Sequence, residues 1–345
     1  MLLFSIDPEC SFASALADAL DESLSPHEDR SFEDGEHKLR PLVDPRGADV
    51  YVLSSLHGSP RFSPHDRLCR LLMFVATLRD HGAARVTALV PYLAYGRKDR
   101  QTQPFDPVAP RYLAQLFEAV RVDQLVVLEA HNLAAFQNAF RCPTLHLAAH
   151  LAFDAVVPAW VGDRPLAIAS PDPGGVKRAQ LWQESLEQRL ARPVGFAMVD
   201  KRRSAGQLSS KCGFATLLDP HGGRPASAGL GAFSNRGLVA GEVEGMAVLL
   251  IDDLIASGQT LRHAAQALRQ AGAREVMACA AHGLFTGQAA EALADPSLAR
   301  VLVTDSVPDL RLPATAQVRD KLQIVTVAQL FAQAVRDFRD AWPQR

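Results

Sequence analysis

The strongest constraint on this chain is a pattern of short apolar runs that do not alternate, each joined by a tight connection to a helix-spaced segment. RVTALVPY (85–92) and MAVLLI (246–251) have no polar face, as expected of strands buried on both sides. Before the first run, Leu68, Leu71, Leu72, Val75 and Leu78 recur at helical spacing up to Gly82, which reads as a cap. After the second, Leu261, Ala264, Ala265 and Leu268 do the same up to Gly272, and the strand EVMACAA (275–281) follows. The repeat reaches individual residues, since LRDHGAARVTA (78–88) and LRQAGAREVMA (268–278) share Leu, Arg, Gly, Ala, Val and Ala at one offset. Strand, helix, strand with short connections implies parallel sheets covered by helices, here twice over.

At 345 residues the chain exceeds the usual size of a single core, so two domains are expected. A hydrophobic share of 48% with 21% charged residues excludes disordered and fibrous classes. The net charge of -2 offers no bulk attraction to nucleic acid or anionic lipid, so no nucleic-acid or membrane partner is expected. The sequence has neither a membrane-length apolar segment nor a secretory leader, and a cytoplasmic location is the expectation. Cys10, Cys69, Cys142, Cys212 and Cys279 form no CxxC pair and are read as buried thiols. The Gly/Pro/Ser-rich stretch 219–237 reads as a mobile insertion. A closing helix is expected after Thr326 as N-cap, with Leu330, Phe331, Ala334, Val335 and Phe338 on one stripe.

Chemistry concentrates where these strands end. In VLLIDDLIASGQTL (248–261) an apolar strand is expected to stop at Asp252 and Asp253, and a small-residue loop then enters a helix. Successive N–H groups and a positive helix end can cradle a phosphate there. Gly258 allows close approach, Ser257 and Thr260 add hydroxyls, and the two carboxylates suit sugar hydroxyls or magnesium. The Lys of a Walker loop is absent. SPDPGGVKRA (170–179) reads as a second strand-to-helix cradle, with Asp172 placed for a metal, and VDKRR (199–203) puts Lys201, Arg202 and Arg203 in a loop after a strand.

LLIDDLIASGQT resembles the phosphoribosyl-binding loop of type I phosphoribosyltransferases and ribose-phosphate pyrophosphokinases. SFEDGEHKLR (31–40), PYLAYGRKDR (91–100), SPDPGGVKRA and VDKRR resemble the pyrophosphokinase signatures, in the family's order and in both halves. The resemblance implies two phosphoribosyltransferase-like α/β domains, each a parallel sheet flanked by helices: residues 1–147 on the ATP side, and 148–323 on the ribose 5-phosphate side with the insertion. Residues 324–345 would pack back on the first domain. It implies transfer of pyrophosphate from Mg-ATP to the anomeric hydroxyl of ribose 5-phosphate, giving phosphoribosyl pyrophosphate and AMP. Lys201 and Arg203 would be catalytic. Phe32, Asp34, Glu36, Arg97, Lys98 and Asp99 would bind ATP, and Asp252, Asp253, Ser257, Gly258, Gln259 and Thr260 the sugar phosphate. His131 and Asp172 would serve Mg2+, and the assembly would be a homo-oligomer, dimer or hexamer. The sequence departs from the family at Lys98 (usually Gln), Glu129 (usually Asp) and Ala256 (usually Asp). A phosphoribosyltransferase, or a non-catalytic paralogue that regulates a synthase, are the alternatives.

Overall fold

A computed structural model describes residues 1–10, 12–199, 239–314 and 316–341. Lys201, Arg202, Arg203, Cys212 and the 219–237 stretch lie outside them.

The first half runs β1 (Leu2–Ser5), α1 (Ala13–Leu20), β2 (His27–Ser31), β3 (His37–Pro41), β4 (Asp49–Leu53), α2 (Pro64–Asp80), β5 (Arg85–Val90), α3 (Ala109–Ala119), β6 (Gln124–Leu128), α4 (Leu133–Ala139) and β7 (Thr144–Leu147). Its five strands pair in the order β1-β4-β5-β6-β7, all parallel, while β2 and β3 form a separate antiparallel hairpin. The second half runs α5 (His150–Phe153), α6 (Val157–Val161), β8 (Leu166–Ser170), α7 (Val176–Leu190), β9 (Gly195–Val199), β10 (Val239–Ala240), β11 (Ala247–Ile255), α8 (Gln259–Gln270), β12 (Glu275–Gly283), α9 (Ala289–Ala294), β13 (Arg300–Thr304), β14 (Leu322–Val325) and α10 (Ala328–Ala341). These strands pair as β10-β9-β8-β11-β12-β13-β14, parallel except for the β9–β10 edge pair.

Non-alternating strands are explained by three apolar layers. Successive side chains of a strand point to opposite faces. On β11, Ala247, Leu249 and Ile251 enter a central layer shared with the first sheet, whereas Val248 and Leu250 enter the outer layer of the second. The central layer also holds Tyr51, Leu89 and Val126 of the first sheet, and α10 closes it. Phe331 of α10 packs on Phe12 as a tilted pair with centroids 5.6 Å apart, and Arg336 Nη1 donates to the Ala19 carbonyl at 2.8 Å. Thr326 Oγ1 accepts from the Ala328 N–H at 3.2 Å at the start of this helix, and Asp305 Oδ1 takes the Val327 N–H.

The internal repeat is structural. Gly82 and Gly272 both have positive φ, +84° and +98°. The carbonyl of each accepts from an earlier glycine, Gly47 at 2.8 Å and Gly245 at 2.9 Å, so both helices turn into the next strand in the same way.

Two expectations are corrected. Cys69 is exposed, because it falls beside the Leu68, Leu71, Val75 stripe of α2 rather than on it, and Cys10 and Cys142 are only half-buried. The strand MAVLLI does not stop at the carboxylates. β11 continues to Ile255 because β12 pairs with it that far, Ile255 opposite Gly283, so Asp252 and Asp253 are strand residues.

Candidate active site

Strand parity decides where the two carboxylates go. Asp253 shares the parity of Leu249 and Ile251 and points between the sheets, where its side chain is 5% exposed. His131, just past β6, donates Nδ1–H to Asp253 Oδ2 at 2.7 Å across the two sheets. Arg178, in the first turn of α7, places Nη1 3.7 Å from Asp253 Oδ1. Burial alone would raise the Asp253 carboxyl, but the His131 hydrogen bond and the Arg178 charge hold it well below the usual range. The same hydrogen bond raises His131. His282 closes the back wall: the β12–β13 register shifts between Ala280 and His282, and His282 Nε2 lies 3.2 Å from the Leu128 carbonyl oxygen. Arg97, Glu129, His131, Asn132, Asp253 and His282 thus line one cleft drawn from both sheets.

Asp252 behaves oppositely. Burial and the charge of Asp253 push its carboxyl from 3.8 up to about 8. The folded protein therefore holds the Asp252 proton to higher pH than the unfolded chain does. A raised folded value gives stability that is complete below the unfolded value and is lost as pH rises through the folded one. In magnesium-free buffer, Asp252→Asn should consequently flatten the decline in stability of the unmutated protein between about pH 5 and pH 8. Denaturant titrations at several pH values measure this; parallel declines in both proteins would refute it.

The loop after β11 has the shape expected for an anion cradle. Gly258 precedes the first turn of α8 with φ +71°, followed by Gln259 and Thr260 as the first helical residues. A Cβ on Gly258 would lie 3.2 Å from both Ala292 Cβ and Leu293 Cγ of α9, so any side chain there presses on α9 in addition to meeting the positive φ that favours glycine. The second cradle is already engaged: Asp172 Oδ1 accepts from the Gly174 and Gly175 N–H groups at 2.9 and 3.3 Å. Among the described residues no three His, Cys, Asp or Glu side chains gather to hold a metal. Magnesium keeps several waters and shares phosphate oxygens, so it needs no such cage. Of the two residues the resemblance would give to the metal, His131 lines the cleft and Asp172 does not.

The residues expected at the nucleotide are divided. Arg97 lines the cleft. Asp99 accepts from Asn132 Nδ2 at 2.5 Å, whereas Lys98 turns into its own loop, pairing with Asp106 and donating to Thr102 Oγ1 at 2.9 Å. Phe32, Asp34 and Glu36 sit at the tip of the β2–β3 hairpin. The Phe32 N–H donates to the Glu36 carbonyl at 2.8 Å, Asp34 Oδ1 accepts the Glu36 N–H, and the Arg30 guanidinium lies 5.0 Å from the Phe32 ring centroid. None of the three lines the cleft. Arg178 escaped the sequence reading, although it stands inside SPDPGGVKRA, three residues after its glycine pair.

Two parallel sheets facing across a shared layer, with a phosphate-type loop at the carboxyl end of β11, define a pair of phosphoribosyltransferase-like α/β units. Residues 1–120 match the N-terminal domain of ribose phosphate pyrophosphokinase, and residues 232–341 the phosphoribosyl synthetase-associated domain. The ribose-phosphate pyrophosphokinase of Caldanaerobacter subterraneus subsp. tengcongensis is 30% identical over 96% of this chain and 93% of its own length. That of Maricaulis maris is 31% identical over 97% and 96%. The crystal structure of phosphoribosylpyrophosphate synthetase from Mycobacterium smegmatis covers 99% of both chains with a TM-score of 0.78 at 26% identity. The chain belongs to the ribose-phosphate pyrophosphokinase family. Among its described residues no helix is long and apolar enough to cross a membrane.

Proposed function

We propose that the chain transfers the pyrophosphoryl group of Mg-ATP to the anomeric hydroxyl of ribose 5-phosphate, releasing AMP and phosphoribosyl pyrophosphate. The observation that carries this reading is the 2.7 Å contact of His131 with Asp253, which joins the half assigned to ATP to the half assigned to the sugar. Ribose 5-phosphate has its phosphate on the N–H groups and hydroxyls of 257–260, and its ring hydroxyls on Asp252 and Asp253. The anomeric oxygen then faces the β-phosphorus: a bond forms between them as the hydroxyl proton is lost to bulk water, and the bond from that phosphorus to the oxygen bridging it to the α-phosphorus breaks, that oxygen leaving with AMP.

Arg97 and Asp99 serve the nucleotide in this scheme, together with Phe32, Asp34, Glu36 and Lys98 once the hairpin and loop are brought to it. Lys201 and Arg203 neutralise charge on the transferring group. Magnesium, when bound by Asp172, His131 and the phosphates, supplies charge neutralisation and in-line orientation. Alignment of nucleophile and leaving group alone can contribute about 7 kcal/mol or more. A homo-oligomer and a cytoplasmic location belong to the same proposal.

The test is AMP release from Mg-ATP with and without ribose 5-phosphate, with the sugar product identified by mass spectrometry. Sugar-dependent AMP release supports the reading. No release at saturating substrates and magnesium would replace it with a regulatory paralogue, and base-dependent consumption of phosphoribosyl pyrophosphate with a phosphoribosyltransferase.

A further inference from the structure

Arg178 and Glu129 have no part in the scheme above, yet they close a ring around it. Glu129 follows β6 with φ +43°, a left-handed conformation that costs a non-glycine residue about 1–3 kcal/mol. Its carboxylate is spent in two directions: Oε2 accepts the Ala149 N–H at 2.9 Å and Oε1 accepts Arg178 Nε at 2.8 Å. The guanidinium then reaches two groups of the proposed chemistry, donating Nη2 to the His131 carbonyl at 3.1 Å and setting Nη1 3.7 Å from Asp253. His131 and Asp253 complete the circuit at 2.7 Å.

The ring is not needed to hold the halves together. They share the central apolar layer, Ser55 Oγ donates to the Ser306 carbonyl at 2.6 Å, and α10 packs on α1. The planar fork suits a different task, since its separate N–H groups address a carboxylate, a carbonyl and a second carboxylate in fixed directions that a lysine ammonium cannot reproduce.

We infer that Arg178, oriented by Glu129, is a positioning residue for pyrophosphoryl transfer, fixing the His131 segment and the Asp253 carboxylate relative to each other across the two sheets. This rests on the proposed reaction. Misplacement of reacting groups by about 1 Å can cost about 10²-fold, so Arg178→Ala should lower kcat by that order, with KM for both substrates changed little. Arg178→Lys should restore little, whereas millimolar guanidinium should restore part of the Arg178→Ala turnover. Glu129→Gln should add nothing to Arg178→Ala, because the two act as one unit.

A kcat within threefold of the unmutated value, a loss traced wholly to a smaller folded fraction, or full recovery in Arg178→Lys would overturn the inference. Were the unmutated chain to release no AMP, the reaction would fail first, and crystal structures would decide the ring. Arg178→Ala should then part His131 and Asp253 beyond hydrogen-bond distance; an unchanged contact would sink it.

Discussion

Lys201→Ala is expected to fold, to bind Mg-ATP nearly as the unmutated protein does, and to lose about 10²- to 10³-fold in turnover, roughly 3 to 4 kcal/mol. A cation that meets charge developing only as the β-phosphorus leaves the α-phosphate bridge stabilises the transition state and not the ground state. Its removal therefore appears in kcat rather than in KM. Arg203→Ala should behave alike. Arg202→Ala is the control, adjacent to both in sequence but given no transition-state role. Rapid-quench measurement of AMP formation, with ATP affinity determined separately, reads the effect. Equal damage from Arg202→Ala would mean that the run acts as a diffuse basic patch.

The second large effect is at Gly258. Valine there meets two penalties: a left-handed backbone that costs a side-chain-bearing residue roughly 1–2 kcal/mol, and overpacking against Ala292 and Leu293 of about 1–3 kcal/mol. The loop can relieve both only by leaving the position from which, in the proposed reaction, its N–H groups would face the sugar phosphate. Gly258→Val should therefore raise KM for ribose 5-phosphate by about 30-fold or more, a size that follows from some 2 kcal/mol or more of displaced loop, and leave ATP affinity largely intact. Gly258→Ala should give a smaller effect of the same kind. Equal loss of both affinities, or no loss, would contradict the assignment of this loop to the sugar phosphate.

Much of this arrangement is legible in the sequence because it is written locally. The runs of β5 and β11, the stripes of α2 and α8 and the glycines that end them need only neighbouring residues to be read. What is not legible depends on distant partners. Nothing near Asp252 says that β12 will keep pairing with β11 through Leu254 and Ile255. Nothing near Arg178 names Glu129, 49 residues away, and the central layer that brings them together exists only once the sheets face each other. The exposure of Cys69 could have been read, since it misses the helical stripe that buries Leu68 and Leu71. The hairpin that carries Phe32 shows the opposite limit: its turn is evident from Asp-Gly, but no local signal says what its tip meets.

The docking of α10 on α1 also has a consequence for biosynthesis. The ribosome delivers α1 long before residues 328–341, so Phe12 and Leu16 wait for Phe331 while the strands of both sheets are being made. The nascent first sheet can pair its strands early, as earlier-made units do, but the inner side of its first helix stays uncovered until α10 emerges. A polypeptide released before residue 328 would display that oily strip to chaperones and proteases, and so would carry a visible mark of unfinished synthesis.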